Sequence, residues 1–149
     1  MLSKGDYELF KEEVVTASAS PQKGKEQNSW KKILVVDDEP NICQLARYCL
    51  EDSFQVFTTS KSSEVVSTAA REHPDLILLD IMMPQMSGIE CARQLKLHPT
   101  TKNIPIIFLS AKDRLQDVTE AMAAGGIDYI TKPFEPEELS KRIQKHLVK

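Results

Sequence analysis

The chain has 149 residues and a mass of 16.8 kDa, with 41% apolar and 28% charged residues, which suits one compact domain with a short tail and leaves no room for two ordinary ones. A formal charge of −3 and a pI near 5.6 argue against a nucleic-acid binder that relies on neutralising phosphates. The longest apolar runs, 76–79 and 104–109, are of strand length, far short of the roughly 20 residues that cross a bilayer. No membrane span is expected, and with acidic residues ahead of any apolar stretch of signal-peptide length, the expected location is cytoplasmic.

Residues 16–29 are mostly Ser, Ala, Gln, Lys, Gly and Pro with almost nothing to bury, so 1–29 reads as a flexible N-terminal tail or linker. Within it Tyr7, Phe10 and Val14 recur at helical spacing, predicting a short amphipathic helix over 6–15 that is marginal by itself. The domain proper is expected over 30–149. From Trp30 onward two periodicities alternate. Runs rich in branched and aromatic residues at 33–36, 55–58, 76–79, 106–109 and 127–130 predict five buried strands.

Between them lie helical stripes: Ile42, Leu45, Ala46, Cys49 and Leu50; Val65, Val66, Ala69 and Ala70; Ile89, Ala92 and Leu95; Val118, Ala121 and Met122; Leu139, Ile143 and Leu147. Pro40 and Pro136 suit first helical turns, Ser60 and Ser87 suit N-caps, and Gly125 suits a helix C-terminus. Five alternations of strand and helix predict an α/β fold, a doubly wound (βα)5 parallel sheet. Cys43, Cys49 and Cys91 are odd in number and fall in helical segments, so reduced thiols serving as small core residues are expected.

In such sheets chemistry belongs outside the C-terminal ends of the strands. Asp37, Asp38 and Glu39 follow the first run, Asp80 the third, Ser110 the fourth, and Thr131 and Lys132 the fifth, whereas the second ends in Thr58, Thr59 and Ser60. One aspartate at a strand end is ordinary turn chemistry; four functional strand ends together are not. Three converging carboxylates repel one another unless a cation joins them or their pKa values rise. All-oxygen ligation favours a hard divalent ion, Mg2+ above Ca2+, because so few carboxylates leave positions for waters and a phosphate oxygen. Zinc is disfavoured, since His73, His98 and His146 show no ligand spacing with the cysteines. Gly-rich phosphate loops and a G-x-S-x-G elbow are absent from the sequence.

The run Val35-Val36-Asp37-Asp38-Glu39-Pro40, the segment from Asp80 through Met82, Pro84 and Ser87 to Gly88, the pair Ser110-Ala111, and Asp128-Tyr129-Ile130-Thr131-Lys132-Pro133-Phe134 resemble the receiver domain of bacterial two-component response regulators, in that family's order and spacing over about residues 31–149. The resemblance implies a flavodoxin-like sheet of strand order 2-1-3-4-5, an order that periodicity alone does not supply. It implies that Asp80 is the phosphoacceptor, attacking a phosphohistidine on a sensor histidine kinase or a histidine phosphotransfer protein to form an acyl phosphate. Asp37, Asp38, Asp80 and the backbone carbonyl of Met82 would hold Mg2+. Ser110 would donate to a phosphoryl oxygen, Lys132 would pair with the phosphoryl group beside a cis Lys132-Pro133 bond, and Tyr129 would be the aromatic switch that follows Ser110.

Three carboxylates, Mg2+ and Lys132 are formally neutral together before transfer; a phosphoryl group on Asp80 leaves a residual charge of about −0.5 to −1, which draws Ser110 and Lys132 inward. That movement would bias the face of helix 4, strand 5 and helix 5 toward a downstream protein target by about 1–3 kcal/mol. Met82 and Lys112 stand where the family tunes phosphoryl lifetime. Gly125-Gly126-Ile127-Asp128 departs from the commoner Gly-Ala-Asp-Asp and predicts a looser start to strand five. The expected protein is a stand-alone receiver with no DNA-binding output, acting by docking or as a phosphorelay intermediate. It would be a signalling protein that catalyses only its own phosphorylation and dephosphorylation. Two alternatives share its parts: a phosphorylation-independent scaffold on the same fold, and a haloacid-dehalogenase-type phosphatase. Against the phosphatase, position 82 is methionine where that family has a second aspartate. The basic stretch Lys141, Arg142, Lys145 and Lys149 reads as a solvated helix end.

Overall fold

In the computed structural model of the protein the described residues are 30–111 and 114–147. The linker expected over 1–29, its helix at 6–15, Lys112 and Lys149 lie outside them. Of the two units into which the chain divides, Met1–Lys31 and Lys32–Lys149, the second holds every regular element described. Five strands, β1 (Lys32–Val36), β2 (Gln55–Thr59), β3 (Leu76–Asp80), β4 (Ile106–Ser110) and β5 (Gly126–Thr131), alternate with five α-helices. These are α1 (Pro40–Leu50), α2 (Val65–Glu72), α3 (Gly88–Leu97), α4 (Leu115–Ala123) and α5 (Pro136–Leu147). All strand pairs are parallel, in the order β2-β1-β3-β4-β5.

Side chains on the three central strands alternate between two cores, as the pleat requires. Ile33, Val35, Leu76, Leu78, Ile107 and Leu109 pack with Ala46 and Leu50 of α1 and Leu139 and Ile143 of α5. Leu34, Val36, Ile77, Leu79, Ile106 and Phe108 pack with Ala69 of α2, Ala92 and Leu95 of α3, and Ala121 of α4. Full burial of each such Leu or Ile contributes about 1.5–3 kcal/mol, so β1, β3 and β4 form a rigid frame for whatever projects beyond their ends. The edge strands β2 and β5 are only partly buried.

Helix boundaries follow local chemistry. Pro40 opens α1, where its missing N–H costs nothing and its fixed φ suits the first turn. Ser87 caps α3, its Oγ accepting the Glu90 N–H at 3.3 Å. Gly125, directly after α4, has φ +115°, a conformation that favours glycine. Ser60 does not cap α2: a 3-10 turn, Ser62–Glu64, intervenes, and α2 begins without a side-chain cap. Thr59 takes over the local hydrogen bonding instead, its hydroxyl donating to Glu64 Oε1 at 3.2 Å and accepting the Lys61 N–H at 3.3 Å.

The start of β5 is tight where the sequence predicts slack. Ile106 pairs with Gly126 and Ile107 with Asp128, so Ile127 is an extra residue in a bulge. A Cβ on Gly126 would lie 2.7 Å from the Phe108 ring, so the buried phenylalanine demands the glycine. Cys43, Cys49 and Cys91 are free thiols, and burial pushes each up to about 11, leaving them protonated at neutral pH. Among the described residues no helix is long and apolar enough to cross a membrane.

Candidate functional site

The parallel topology carries the C-terminal ends of all five strands to one rim, and four predicted residues meet there. Asp37 follows β1 and is completely buried, Asp80 ends β3 at 1% exposure, and Lys132 follows β5. Lys132 Nζ lies 2.8 Å from Asp37 Oδ2 and 3.3 Å from Asp80 Oδ1, with Glu39 Oε1 at 3.9 Å. Asp37, Asp38 and Asp80 each present a carboxylate oxygen within 4.8 Å of the others. Lys132 is positioned from the backbone, its N–H donating to the Ser110 carbonyl at 2.8 Å, and the Lys132–Pro133 peptide is cis.

The charges are not in balance. Burial pushes the Asp80 carboxyl up to about 7, the Asp37 carboxylate adds to the rise, and Lys132 opposes it. Burial works against the Lys132 ammonium, but its hydrogen bond to Asp37 and the charges of Asp80 and Asp37 prevail and hold its pKa above the usual range. Asp80 Oδ1 is buried and accepts no hydrogen bond among the described residues, although Lys132 Nζ is 3.3 Å away, because the ammonium is aimed at Asp37 Oδ2. A buried carboxylate oxygen short of a partner, facing two further carboxylates, fits a hard divalent cation with oxygen ligands.

Ser110 closes β4 and is fully buried. Together with Met82 and Tyr129 it lines a cavity of about 210 Å³ between α3 and α4, beside the carboxylates rather than among them. The Met82 side chain is 54% exposed, and Tyr129 is half-buried, opposite Phe108 of β4. The Tyr129 carbonyl accepts from Arg142 of α5 at 3.3 Å, and the same guanidinium binds Asp128 Oδ1 at 2.7 Å. The Asp128 carboxylate also meets His146 Nε2 at 2.9 Å. Burial alone would raise the Asp128 pKa, but His146, the Tyr129 N–H and Arg142 outweigh it and hold that pKa below the usual range.

Three positioning contacts escape the sequence analysis. A Cβ on Gly88 would fall 2.0 Å from the Asp80 carbonyl oxygen, so glycine there lets α3 butt against the backbone of the central carboxylate, its N–H bonding the Ile81 carbonyl at 2.8 Å. The Cys43 thiol donates to the Asp37 carbonyl at 3.4 Å. The Thr59 carbonyl of β2 accepts the Asp37 N–H at 3.3 Å. The signal in each case is a small residue one turn or one strand from an acidic one, too common a pattern to stand out.

An open parallel α/β sheet of this order binds its ligands outside the C-terminal ends of its strands, where the acidic cluster and the lysine lie. The family model of the response regulator receiver domain matches residues 33–144, and the chain belongs to that family. It is 44% identical over 115 residues to the alkaline phosphatase synthesis transcriptional regulatory protein PhoP of Bacillus subtilis, an alignment covering 76% of this chain and 47% of that one. It is 41% identical to the phosphate regulon transcriptional regulatory protein PhoB of Pseudomonas aeruginosa, covering 76% and 50%. The chain thus spans about half the length of these curated relatives. Among solved structures the chemotaxis protein CheY4 of Vibrio cholerae superposes with a TM-score of 0.76 at 31% identity, covering 79% of this chain and 99% of that one. Receiver domains are signalling proteins that accept a phosphoryl group, generally bind Mg2+ at an acidic pocket, and interact with histidine kinases and downstream targets.

Proposed function

We propose that Asp80 is the phosphoacceptor of this receiver, a domain spanning 30–149, and that Asp37, Asp38, Asp80 and the backbone carbonyl of Met82 hold its Mg2+. The observation that carries the reading is the convergence of Asp37, Asp38, Asp80 and Lys132 at one rim, with a buried Asp80 oxygen left short of hydrogen bonds. A carboxylate oxygen of Asp80 attacks the phosphorus of a phosphohistidine, the phosphorus–nitrogen bond breaks, and the imidazole leaves with the donor. The cation, when bound, neutralises charge on the phosphoryl oxygens and the carboxylates. Lys132 follows the charge: shared now between Asp37 and Asp80, it turns to the phosphoryl group once Asp80 is esterified.

Ser110, at the end of the neighbouring strand, supplies a hydroxyl to a phosphoryl oxygen. Its movement draws on the loop before α4 and on the cavity it shares with Tyr129, whose ring fills the space vacated. The face of α4, β5 and α5 changes as a result, and the signal passes to a docked protein target or onward to a histidine phosphotransfer protein. The donor is a sensor histidine kinase or such a phosphotransfer protein, and no nucleic acid or membrane enters the step.

Incubation with Mg2+ and acetyl phosphate, read by intact mass, is expected to add one phosphoryl group that hydroxylamine removes, with none added to Asp80→Asn. Undiminished uptake in Asp80→Asn overturns the assignment. Beryllofluoride with Mg2+ is expected to shift the amide resonances of Ser110 and Tyr129 in the wild type and to leave them unmoved in the variant.

A further inference from the structure

Five arginines occur in the chain, and four of them are in ion pairs: Arg71 with Glu72, Arg93 with Glu90, Arg114 with Asp117, and Arg142 with Asp128. Arg47 of α1 is the exception among the described residues, half-buried with no ion pair. It lines a cavity of about 360 Å³ between α1 and the connection from β2 to α2, within the range of about 300–1,000 Å³ typical of small-molecule sites. Across the cavity stands Lys61, likewise without an ion pair among the described residues. The one carboxylate on the wall, Glu64, accepts the Thr59 hydroxyl at 3.2 Å.

Two cations facing one engaged carboxylate leave the cavity with an unmatched positive charge, and a half-buried guanidinium is kept so only at a cost unless an anion joins it. The rest of the wall mixes hydroxyl and amide groups, from Thr58, Thr59, Ser60 and Gln44, with Pro40 and Cys43, and carries no aromatic ring on which a base could stack. A planar guanidinium opposite an ammonium matches the oxygens of a phosphomonoester, while Thr58, Ser60, Gln44 and Glu64 match hydroxyl groups on the carbon chain that bears it. None of Asp37, Asp38, Asp80 and Lys132 lines this cavity.

From Arg47 and Lys61, neither in an ion pair among the described residues, on the two sides of one cavity, we infer that the cleft between α1 and the β2–α2 connection is a binding site for a sugar phosphate, separate from the acidic rim. The inference stands whether or not Asp80 is the phosphoacceptor. The occupied site would communicate with the rim by a short route, because Cys43 lines the same wall and its thiol holds the Asp37 carbonyl, while Thr59 holds the Asp37 N–H.

The test is an amide NMR titration of the full chain with ribose 5-phosphate, once with a chelator and once with Mg2+. Saturable shifts are expected at residues 43–47 and 58–64, the same in both conditions. Arg47→Ala and Lys61→Ala are each expected to weaken binding by about tenfold, inorganic phosphate to bind about tenfold more weakly than the sugar phosphate, and ribose not at all. Lys61 is exposed, so Lys61→Ala carries the test even where Arg47→Ala fails to fold, and Lys102→Ala serves as a charge-matched control that leaves binding unchanged. The inference is overturned by an absence of saturable shifts, by shifts confined to 37, 80 and 132, by unaltered affinity in Lys61→Ala, or by inorganic phosphate binding as tightly as ribose 5-phosphate.

Discussion

The two ends of the parallel sheet treat buried polar groups in opposite ways. Where the strands begin, Lys32, Lys96 and Thr101 complete their hydrogen bonds locally. Lys32 places its ammonium on the Glu72 carbonyl at 3.1 Å and its backbone N–H on Asp75 at 2.8 Å. Lys96 binds the carbonyls of Lys102 and Ile104 at 3.2 and 2.9 Å, and the fully buried Thr101 donates to the Leu95 carbonyl at 2.7 Å. Where the strands end, three carboxylates share one lysine, and an Asp80 oxygen lacks a hydrogen bond. The first end satisfies the polar groups named; the second leaves an unbalanced acidic cluster, as the proposed binding of a cation and a phosphoryl group requires.

Removing the lysine breaks the contrast most severely. Lys132→Met leaves Asp37 and Asp80 facing each other without a cation, and is expected to lower the metal-free unfolding free energy by about 3 kcal/mol at neutral pH, the low end of the range for a disrupted buried pair. Denaturant melts should show the deficit shrinking in mild acid, as Asp80 takes up a proton.

A smaller effect of opposite sign is expected at Asp80. Its folded-state pKa of about 7 stands above the ordinary 3.8, so between these values the folded chain holds a proton that the unfolded chain has released. Metal-free stability must therefore fall as pH rises from about 4 to about 7 and level off above that. Asp80→Asn should flatten this slope and raise metal-free stability at neutral pH by about 1–2 kcal/mol while abolishing phosphoryl uptake; saturating Mg2+ should flatten the wild-type slope. A stability that rises with pH over that window in the chelated wild type contradicts this account. Smallest is Thr101→Val at the opposite end, expected to cost about 1 kcal/mol for the lost hydrogen bond to the Leu95 carbonyl and to leave phosphoryl uptake unchanged, measured by thermal melts beside the mass assay.

Much of the frame was legible because burial writes itself into composition. The runs at 33–36, 76–79 and 106–109 are apolar on both faces, and the structure covers both faces with helices. The strand order came through the family resemblance, since a period-two pattern says which residues are buried and nothing about which strand lies beside which. The acidic residues at strand ends were visible for the same topological reason that brings them together. Less legible were contacts made by the backbone. The approach of Gly88 to the Asp80 carbonyl, the bulge at Ile127 and the displacement of the expected Ser60 cap by the 62–64 turn all depend on main-chain geometry, which local composition encodes weakly. No sequence pattern singles out Arg47, whose lack of an ion pair among the described residues is visible only in three dimensions.

The seating of Gly88 against Asp80 makes the surroundings of that carboxylate one-sided. On that flank α3 buries Gly88, Ile89, Cys91, Ala92 and Leu95, so its first turn is a fixed abutment with no clearance for recoil. On the other flank α4 buries Ala121 alone, and its slope toward solvent carries Leu115 at 81% exposure. Asp80 therefore has a wall on one side and a sparsely anchored helix on the other, so a force applied there is shared unequally between its two neighbours.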